Sequence, residues 1–391
     1  MTRKEFIKIC SLFSISIPSP FQSVLVSCKS DNDTSRTDFD GTILIIGAGA
    51  AGLTAGHLLS QRGIDFQILE ASSVYGGRMK RTMDFVDFPV PLGAEWLHVE
   101  RGIFDEIINN SSVQVDTQTT SYDQNVDYAL YEGQQVSMAD LGFTIDQKFI
   151  SSSWFDFFEQ YVVPSIQNKI TFNKIIQSID YSGEKVIVNT SNDEFEADKI
   201  IITVPVKMLQ NGSISFTPEL PDGKLDAINN VTVWDGFKAF IEFSEKFYPT
   251  AIGFDITPET AGQKLYYDAA YGQNSNRHIL GLFTVGSGTL PYRQLSDSEL
   301  INYMLGELDG MFNGQASSNY VNHISQNWNN EPFANGAYVY DHEDWRRVRI
   351  LGESVNNKLF FAGTAYTIGD DWGSVHTAAR SAIKSVNEIL Q

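Results

Sequence analysis

Gly47, Gly49 and Gly52 complete a G-x-G-x-x-G triplet, and an acid, Glu70, closes the next apolar run. In that order the glycines suit a tight turn, a close approach of backbone N–H groups to a pyrophosphate, and tight packing of helix on strand. The acid suits the ribose hydroxyls. This is the chemistry of holding a dinucleotide, with Ala51 at the start of the helix beside it. A second candidate is Lys238. Residues 234–243 alternate, so Phe237, Ala239, Ile241 and Phe243 share one face and Lys238, Phe240 and Glu242 the other. A lysine among aromatics on a buried strand is costly unless it is solvated or paired. Other chemistries find no support. The six histidines show no ligand spacing such as H-E-x-x-H, so no metal is expected, and Gly286-Ser287-Gly288 reads as a flexible turn rather than a nucleophile elbow.

The elements that must position these residues follow from the pattern. Thr42–Ile46 is a short apolar run suited to a buried parallel strand. Ala51, Thr54, Ala55, Leu58 and Leu59 give the following helix small and apolar contacts, and Asp65–Leu69 forms the second strand. Strand, glycine turn, helix, strand and acid in this order are the context the motif requires. Near the C-terminus, 359–363 reads as another buried strand, followed by a turn and a helix over roughly 374–390. Phe149, Trp154, Phe157, Phe158 and Tyr161 lie near helical spacing, which predicts a helix within 149–166 limited by Pro164. Strands are expected at 170–179, 232–243 and 277–285, and a helix at 297–311.

A chain of 391 residues suffices for two packed domains, and no apolar run reaches membrane-spanning length. The formal net charge of −20 argues against a nucleic-acid partner. The two cysteines, Cys10 and Cys28, both lie near the N-terminus, so the body of the chain has no disulfide framework. Residues 1–27 have a basic start, with Arg3 and Lys4, and an apolar, serine-containing middle, as a signal peptide does. Leu25-Val26-Ser27-Cys28 resembles a bacterial lipoprotein box, which implies lipidation of Cys28. Residues 2–8 resemble a twin-arginine export signal with lysine for the second arginine. Residues 28–41 read as a flexible polar tether. The expectation is an exported protein, lipid-anchored to a bacterial membrane on its periplasmic or cell-surface face.

Further motifs occur in a fixed order: Gly76-Gly77-Arg78, then 93–98 (GAEWLH), 197–205 (ADKIIITVP), the strand with Lys238, Trp328 ahead of Gly336-Ala337-Tyr338, FAG at 361–363, and 372–378 (WGSVHTA). Together they resemble the flavin-containing amine oxidase family, which includes the monoamine and polyamine oxidases. The resemblance spans nearly the whole chain after residue 41. It implies an α/β fold in which a Rossmann-type FAD-binding domain is built from discontinuous segments, 42–98, 168–233 and 334–391. An α+β substrate-binding domain would take 99–167 and 234–333.

The same resemblance implies FAD as cofactor and assigns residues to it. Gly47, Gly49, Ala51, Gly52 and Glu70 belong to the dinucleotide unit; Gly77 and Arg78 would lie beside the diphosphate and flavin; Gly93, Ala94, Glu95 and Trp96 against the ring. Ile176 would pin the adenine, Trp328 would stand near the flavin, and Gly363 and Thr364 would lie at the ribityl chain, where many relatives carry glutamate. Ser374 and Val375 would aim a helix N-terminus at the pyrimidine, favouring the negative charge of a reduced flavin. Ala337 stands where some relatives carry a cysteine thioether, which implies non-covalent FAD. Lys238 would contact flavin N5 through a water as the catalytic lysine. His98, Tyr338 and Trp372 would meet the substrate, with Tyr338 as one wall of an aromatic cage and Trp372 substituting for the other, which aligns with Ser374. Glu95 is either a pocket anion or a solvated side chain. Asp370 and Asp371 are either a site for a distal ammonium or acids of a surface turn. The implied reaction takes a primary or secondary amine, including a polyamine, to an imine, with O2 or another acceptor receiving the electrons. Two alternatives stay open. One is an L-amino-acid oxidase or related flavin dehydrogenase, which needs an arginine for the carboxylate, with Arg277, Arg293, Arg346, Arg347 and Arg349 available. The other is a lipid-anchored FAD-binding protein without catalysis.

Overall fold

A computed structural model describes residues 39–123, 127–132, 135–139, 146–254, 262–340 and 345–391. The expected signal peptide, Cys28 and nearly all of the tether lie outside the described residues.

Thr42–Ile46 sits at the centre of a five-stranded parallel sheet. Its order is Ile170–Thr171, Asp65–Leu69, Thr42–Ile46, Lys199–Ile202, Leu359–Phe361. These strands are apolar on both faces because both faces are covered. Ile43, Ile45 and Ile68 pack on one side with helices Ala50–Gln61 and Val375–Ile389, through Ala51, Ala55, Ala378, Ala382 and Val386. Leu44, Ile46, Ile200 and Ile202 pack on the other side against Ile176, Ile179, Val186 and Val188 of a four-stranded sheet. Two glycines make the first turn possible. Gly47 has φ +105°, and a Cβ on Gly52 would stand 1.9 Å from the Gly47 carbonyl oxygen. The helix can therefore rest on the turn only without a side chain there.

The second body of structure is a seven-stranded sheet. Its order is Tyr320–Asn327, Gly236–Phe243, His278–Gly286, Gly262–Asp268, Ala251–Phe254, Tyr128–Glu132, Gln135–Ala139. The strand that carries Lys238 is antiparallel to both neighbours. Phe237, Ala239, Ile241 and Phe243 pack with Leu300, Met304 and Leu308 of helix Asp297–Phe312. Phe240, on the opposite face, packs with Phe88, Val90, Leu92 and Trp96, which lead back to the first core. The strand is thus sandwiched, and its lysine points toward the junction.

Several elements differ from the sequence reading. Within 149–166 the helix is only Trp154–Tyr161, started by Ser153, whose hydroxyl accepts from Asp156 N at 3.3 Å, and a 3-10 turn at Val163–Ser165 follows. Phe149 instead ends the strand Gln147–Phe149, which pairs with Trp96–Leu97. The expected strand at 170–179 is broken. Ile170–Thr171 joins the parallel sheet and Ile176–Asp180 the four-stranded one, because Asn173 turns the chain at φ +60° and Lys174 N bonds the Glu70 carbonyl at 2.9 Å. The lysine strand begins at Gly236 rather than 232, since Thr232 and Trp234 bond across to 337–340. Ser287–Thr289 is a 3-10 turn with Gly288 and Thr289 buried, not a flexible one. Ile103, Phe104, Ile107, Trp154, Phe157 and Phe158, assigned by sequence to the substrate domain, bury their apolar faces in the core of the dinucleotide unit.

Gly52→Ala tests the close approach in the first turn. Thermal or urea unfolding should show a loss of about 1–3 kcal/mol, the usual range for overpacking. An unchanged midpoint would mean that the turn and helix separate freely.

Candidate active site

One cavity of about 640 Å³ runs between the two bodies, within the size range of small-molecule and cofactor sites. Its walls come from distant parts of the chain. Gly47, Gly49, Ala51 and Glu70 line one end, followed by Gly77, Arg78, Gly93, Ala94, Glu95, Trp96 and His98. Ile176, Lys238, Trp328, Tyr338, Gly363, Thr364, Trp372, Ser374 and Val375 complete the set of expected site residues on its surface. Gly52 is not on the wall; it supports the turn from behind.

The dinucleotide end is organised by backbone donors. Helix Ala50–Gln61 has Gly49 at its N-cap and no side chain accepting its first N–H groups. Those donors and the positive end of the helix suit an anion. Glu70 is anchored on both oxygens: Oε2 accepts from Ala48 N at 2.6 Å, and Oε1 from Ser72 N at 2.8 Å and Ser72 Oγ at 2.9 Å. A carboxylate retains further lone pairs for hydroxyl donors.

Arg78 is a cation placed without a countercharge. Its guanidinium donates to the Ala337 carbonyl and to Thr364 Oγ1, the latter at 3.1 Å. Among the described residues no carboxylate pairs with it, and burial pulls it down to about 10. A half-buried guanidinium without a countercharge, on the same cavity as an uncapped helix N-terminus, calls for an anionic ligand. A diphosphate fits.

Lys238 is 3% exposed and fully engaged. Its Nζ donates to Pro91 O at 2.8 Å, Gly93 O at 3.2 Å and Glu95 Oε2 at 2.7 Å. An ammonium has three protons, so all three are committed. The water-mediated N5 contact drawn from the resemblance requires one of these bonds to be exchanged. Glu95 is likewise not the solvated side chain that stood as one reading: it is 4% exposed, with Oε1 3.3 Å from Lys148 Nζ and a further hydrogen bond from Tyr267 Oη. Burial alone would raise its carboxyl. The Lys238 and Lys148 charges and the hydrogen bonds from Lys238 and Tyr267 outweigh this and hold it below the usual carboxylate range. Burial lowers Lys238 from the ordinary lysine value, and Glu95 opposes that.

The remaining wall is aromatic. Tyr338 lies 6.3 Å from Trp234, which stacks on Tyr340 at 3.6 Å, and Phe283 meets Trp96 edge-on at 5.7 Å. Trp328 Nε1 donates to Leu92 O at 2.9 Å. His98 Nδ1 faces Asp146 Oδ1 at 3.0 Å. At the other end, Val375 opens the C-terminal helix, and Ser374 N donates to Thr377 Oγ1 at 3.1 Å. Asp371 reaches the cavity and contacts His376 Nε2 at 2.7 Å, whereas Asp370 is exposed and off the wall.

The arginines considered for a substrate carboxylate lie elsewhere. Arg277 pairs with Glu242 at 2.5 Å, Arg293 with Asp235 and Arg349 with Glu353, and Arg346 lies over Trp345. None of these, nor Arg347, lines the cavity. The sequence reading missed Trp234 and Tyr340 as wall residues, although Trp234 lies just ahead of the lysine strand. It also missed Lys148 and Tyr267, whose strands carry no motif.

A family model described as flavin containing amine oxidoreductase matches residues 159–390, more than half of the chain. The chain belongs to that family. An NAD(P)-binding Rossmann-like domain model matches residues 45–106. Polyamine oxidase 2 of Arabidopsis thaliana is 23% identical over 463 residues, covering 93% of this chain and 90% of its own. Lysine-specific histone demethylase 1B of Mus musculus is 28% identical over 197 residues, 49% of this chain. The match covers only 24% of that demethylase's length, and 14% of that of an Arabidopsis thaliana demethylase homologue. A putrescine oxidase solved with putrescine bound has the same fold, with a TM-score of 0.73 at 14% identity over 89% of this chain and 98% of its own.

In this flavin oxidoreductase, Arg78→Leu should weaken flavin retention by about ten- to a hundredfold, the worth of one charged hydrogen bond. The ratio of visible flavin absorbance to protein after dialysis checks this. Full retention would remove Arg78 from the cofactor site.

Proposed function

We propose that this chain is an FAD-dependent oxidase of primary or secondary amines, with FAD held non-covalently. One observation carries the reading: a single cavity joins an anion-binding end, made by Arg78 and the uncapped helix, to an aromatic end that has Lys238 in its wall. The names of two relatives matched over nearly their whole length, a polyamine oxidase and a putrescine oxidase, support the amine class. The non-covalent part rests on Ala337 at the wall and on both cysteines falling at positions 10 and 28.

In this proposal Arg78 and the N–H groups at Gly49–Ala51 bind the diphosphate, and Glu70 takes the ribose. Bound flavin supplies the two-electron oxidation of the C–N bond to an imine and passes the electrons to O2 or another acceptor. The chain's part is orientation. Tyr338, Trp234 and Trp372 form apolar and π-face surfaces that align an amine. His98, whose Nδ1 faces Asp146, lies on the cavity wall on the substrate side. No arginine of the set considered for an amino-acid carboxylate faces the cavity, which favours amines over amino acids.

We also propose that the protein is exported and lipid-anchored through Cys28, on the strength of the basic start and the 25–28 sequence. Mass spectrometry of the native N-terminus should find a lipidated Cys28; an intact Met1 would overturn this.

Anaerobic titration of the purified protein should bleach the flavin absorbance with putrescine, spermidine or benzylamine and leave it unchanged with L-amino acids. Acid denaturation should release all of the flavin. A colourless protein, or bleaching by amino acids alone, would overturn the amine reading, and flavin left on the polypeptide would overturn non-covalent attachment.

A further inference from the structure

Lys238 does not stand alone in the cavity wall. Glu95, just ahead of the strand Trp96–Leu97, lies between it and Lys148 of the strand Gln147–Phe149. Lys148 Nζ donates to Ala269 O at 2.7 Å and Asp268 O at 3.3 Å, and its third contact is Glu95 Oε1 at 3.3 Å. Tyr267, on the strand Gly262–Asp268, donates to Glu95 Oε2. Burial and the nearby Glu95 raise the Tyr267 phenol well above its ordinary value, so it remains a donor. The rings of Trp96 and Phe240 lie 5.5 Å and 5.0 Å from Lys238 Nζ. Gln326 is its register neighbour on the next strand, and Phe283 on the other side. Around the cluster, burial and Glu95 raise the Tyr122 phenol well above its ordinary value, the Asp268 carboxylate is engaged by Lys246, and Glu331 by Gln326 and Lys80.

Three charges in the order plus, minus, plus therefore stand in and behind the cavity wall, with all three Lys238 protons on acceptors and Lys148 bonded to two carbonyls and ion-paired with Glu95. Such a cluster is expensive to desolvate, and apolar residues of the same volume would hold a core at least as well. Its net charge is one positive unit.

We propose that Glu95 and Lys148 are positioning residues that keep the Lys238 ammonium charged and fixed, so that a ligand lying along Gly93–Ala94 meets a positive charge that does not vary over the working pH range. The proposal rests on the flavin-oxidase reading above. Glu95 supplies the countercharge without which burial strips the proton from Lys238; Lys148 supplies the surplus that leaves the cluster positive.

Sulfite binding to the flavin-loaded protein, followed by loss of visible absorbance at about pH 6.5 and about pH 9, reports positive charge near the ring. In Glu95→Gln the affinity relative to wild type should fall by at least about tenfold more at the higher pH, because Lys238 then loses its proton as pH rises. Glu95→Asp should restore the wild-type ratio. Lys148→Met should weaken sulfite by a similar factor at both pH values, since Glu95 still holds Lys238 charged, and this variant serves where Glu95→Gln does not fold. A Glu95→Gln ratio that is flat with pH, or a Lys148→Met protein that binds sulfite as the wild type does, overturns the proposal while leaving the oxidase reading intact. A wild-type protein that holds no flavin overturns both.

Discussion

Among the described residues, the lysines and arginines that line the cavity divide by pairing: Lys80, Arg81, Lys174 and Lys238 each meet a carboxylate, and Arg78 does not. Lys238 has Glu95; Arg78 has two neutral oxygens, from Ala337 and Thr364. In a medium of low dielectric this difference decides what each can do. A matched charge is a fixed part of the wall. An unmatched one is half of an ion pair whose other half arrives with a ligand. The anion-binding end and the reacting end of the cavity are separated by this difference in pairing more than by shape.

The sheets exist to bring these charges together. Parallel strands end in register on one edge, so Gly47 after Thr42–Ile46, Glu70 after Asp65–Leu69, Thr203 after Lys199–Ile202 and Gly363 after Leu359–Phe361 meet although they are far apart in the chain. The last of these strands then delivers Val375 at the start of a helix pointing into the same space. The antiparallel sheet contributes one side chain by a different rule. Alternation sends Phe237, Ala239 and Ile241 to the helix Asp297–Phe312, which forces Lys238 to the opposite face, toward Gly93 and Glu95. Shifting that strand by one residue would bury the lysine in an apolar core with no acceptors, so the register is strongly specified.

What the sequence made legible follows from this. The glycine turn could be read because Gly47 and Gly52 answer local demands: a positive φ, and a carbonyl oxygen where a Cβ would stand. Alternation around Lys238 revealed its face, and the ordered motifs revealed the family. The partner of Lys238 was not legible, because Glu95 and Lys148 meet only when three separate strands have assembled, and nothing in their spacing encodes that. The helix at 149–166 was overextended for a related reason. Phe149 fits the helical period, but strand pairing opposite Thr119 claims it. The expected strand at 170–179 failed at Asn173, whose left-handed backbone lets one segment serve two sheets.

The charge balance of the whole chain and that of the cavity have opposite signs, and the proposed reaction uses both. A net charge of −20 draws ammonium ions toward the surface, an effect on encounter that salt screens. Behind the cavity wall the Lys238–Glu95–Lys148 cluster is positive and shielded from salt. An ammonium ion approaching it is repelled, and a neutral amine is not. The acids that reach the cavity offer little to offset this. Glu70 is held by the turn, Glu95 by two lysines, and Glu331 by Lys80 and Gln326, while Asp371 contacts His376 at the far end. The wall left for the amine is aromatic, and π-faces accept a donor N–H without requiring a full charge. On the proposed reading, an arrangement that gathers amines as cations favours their neutral form at the reacting end, where the nitrogen lone pair is needed to form the imine.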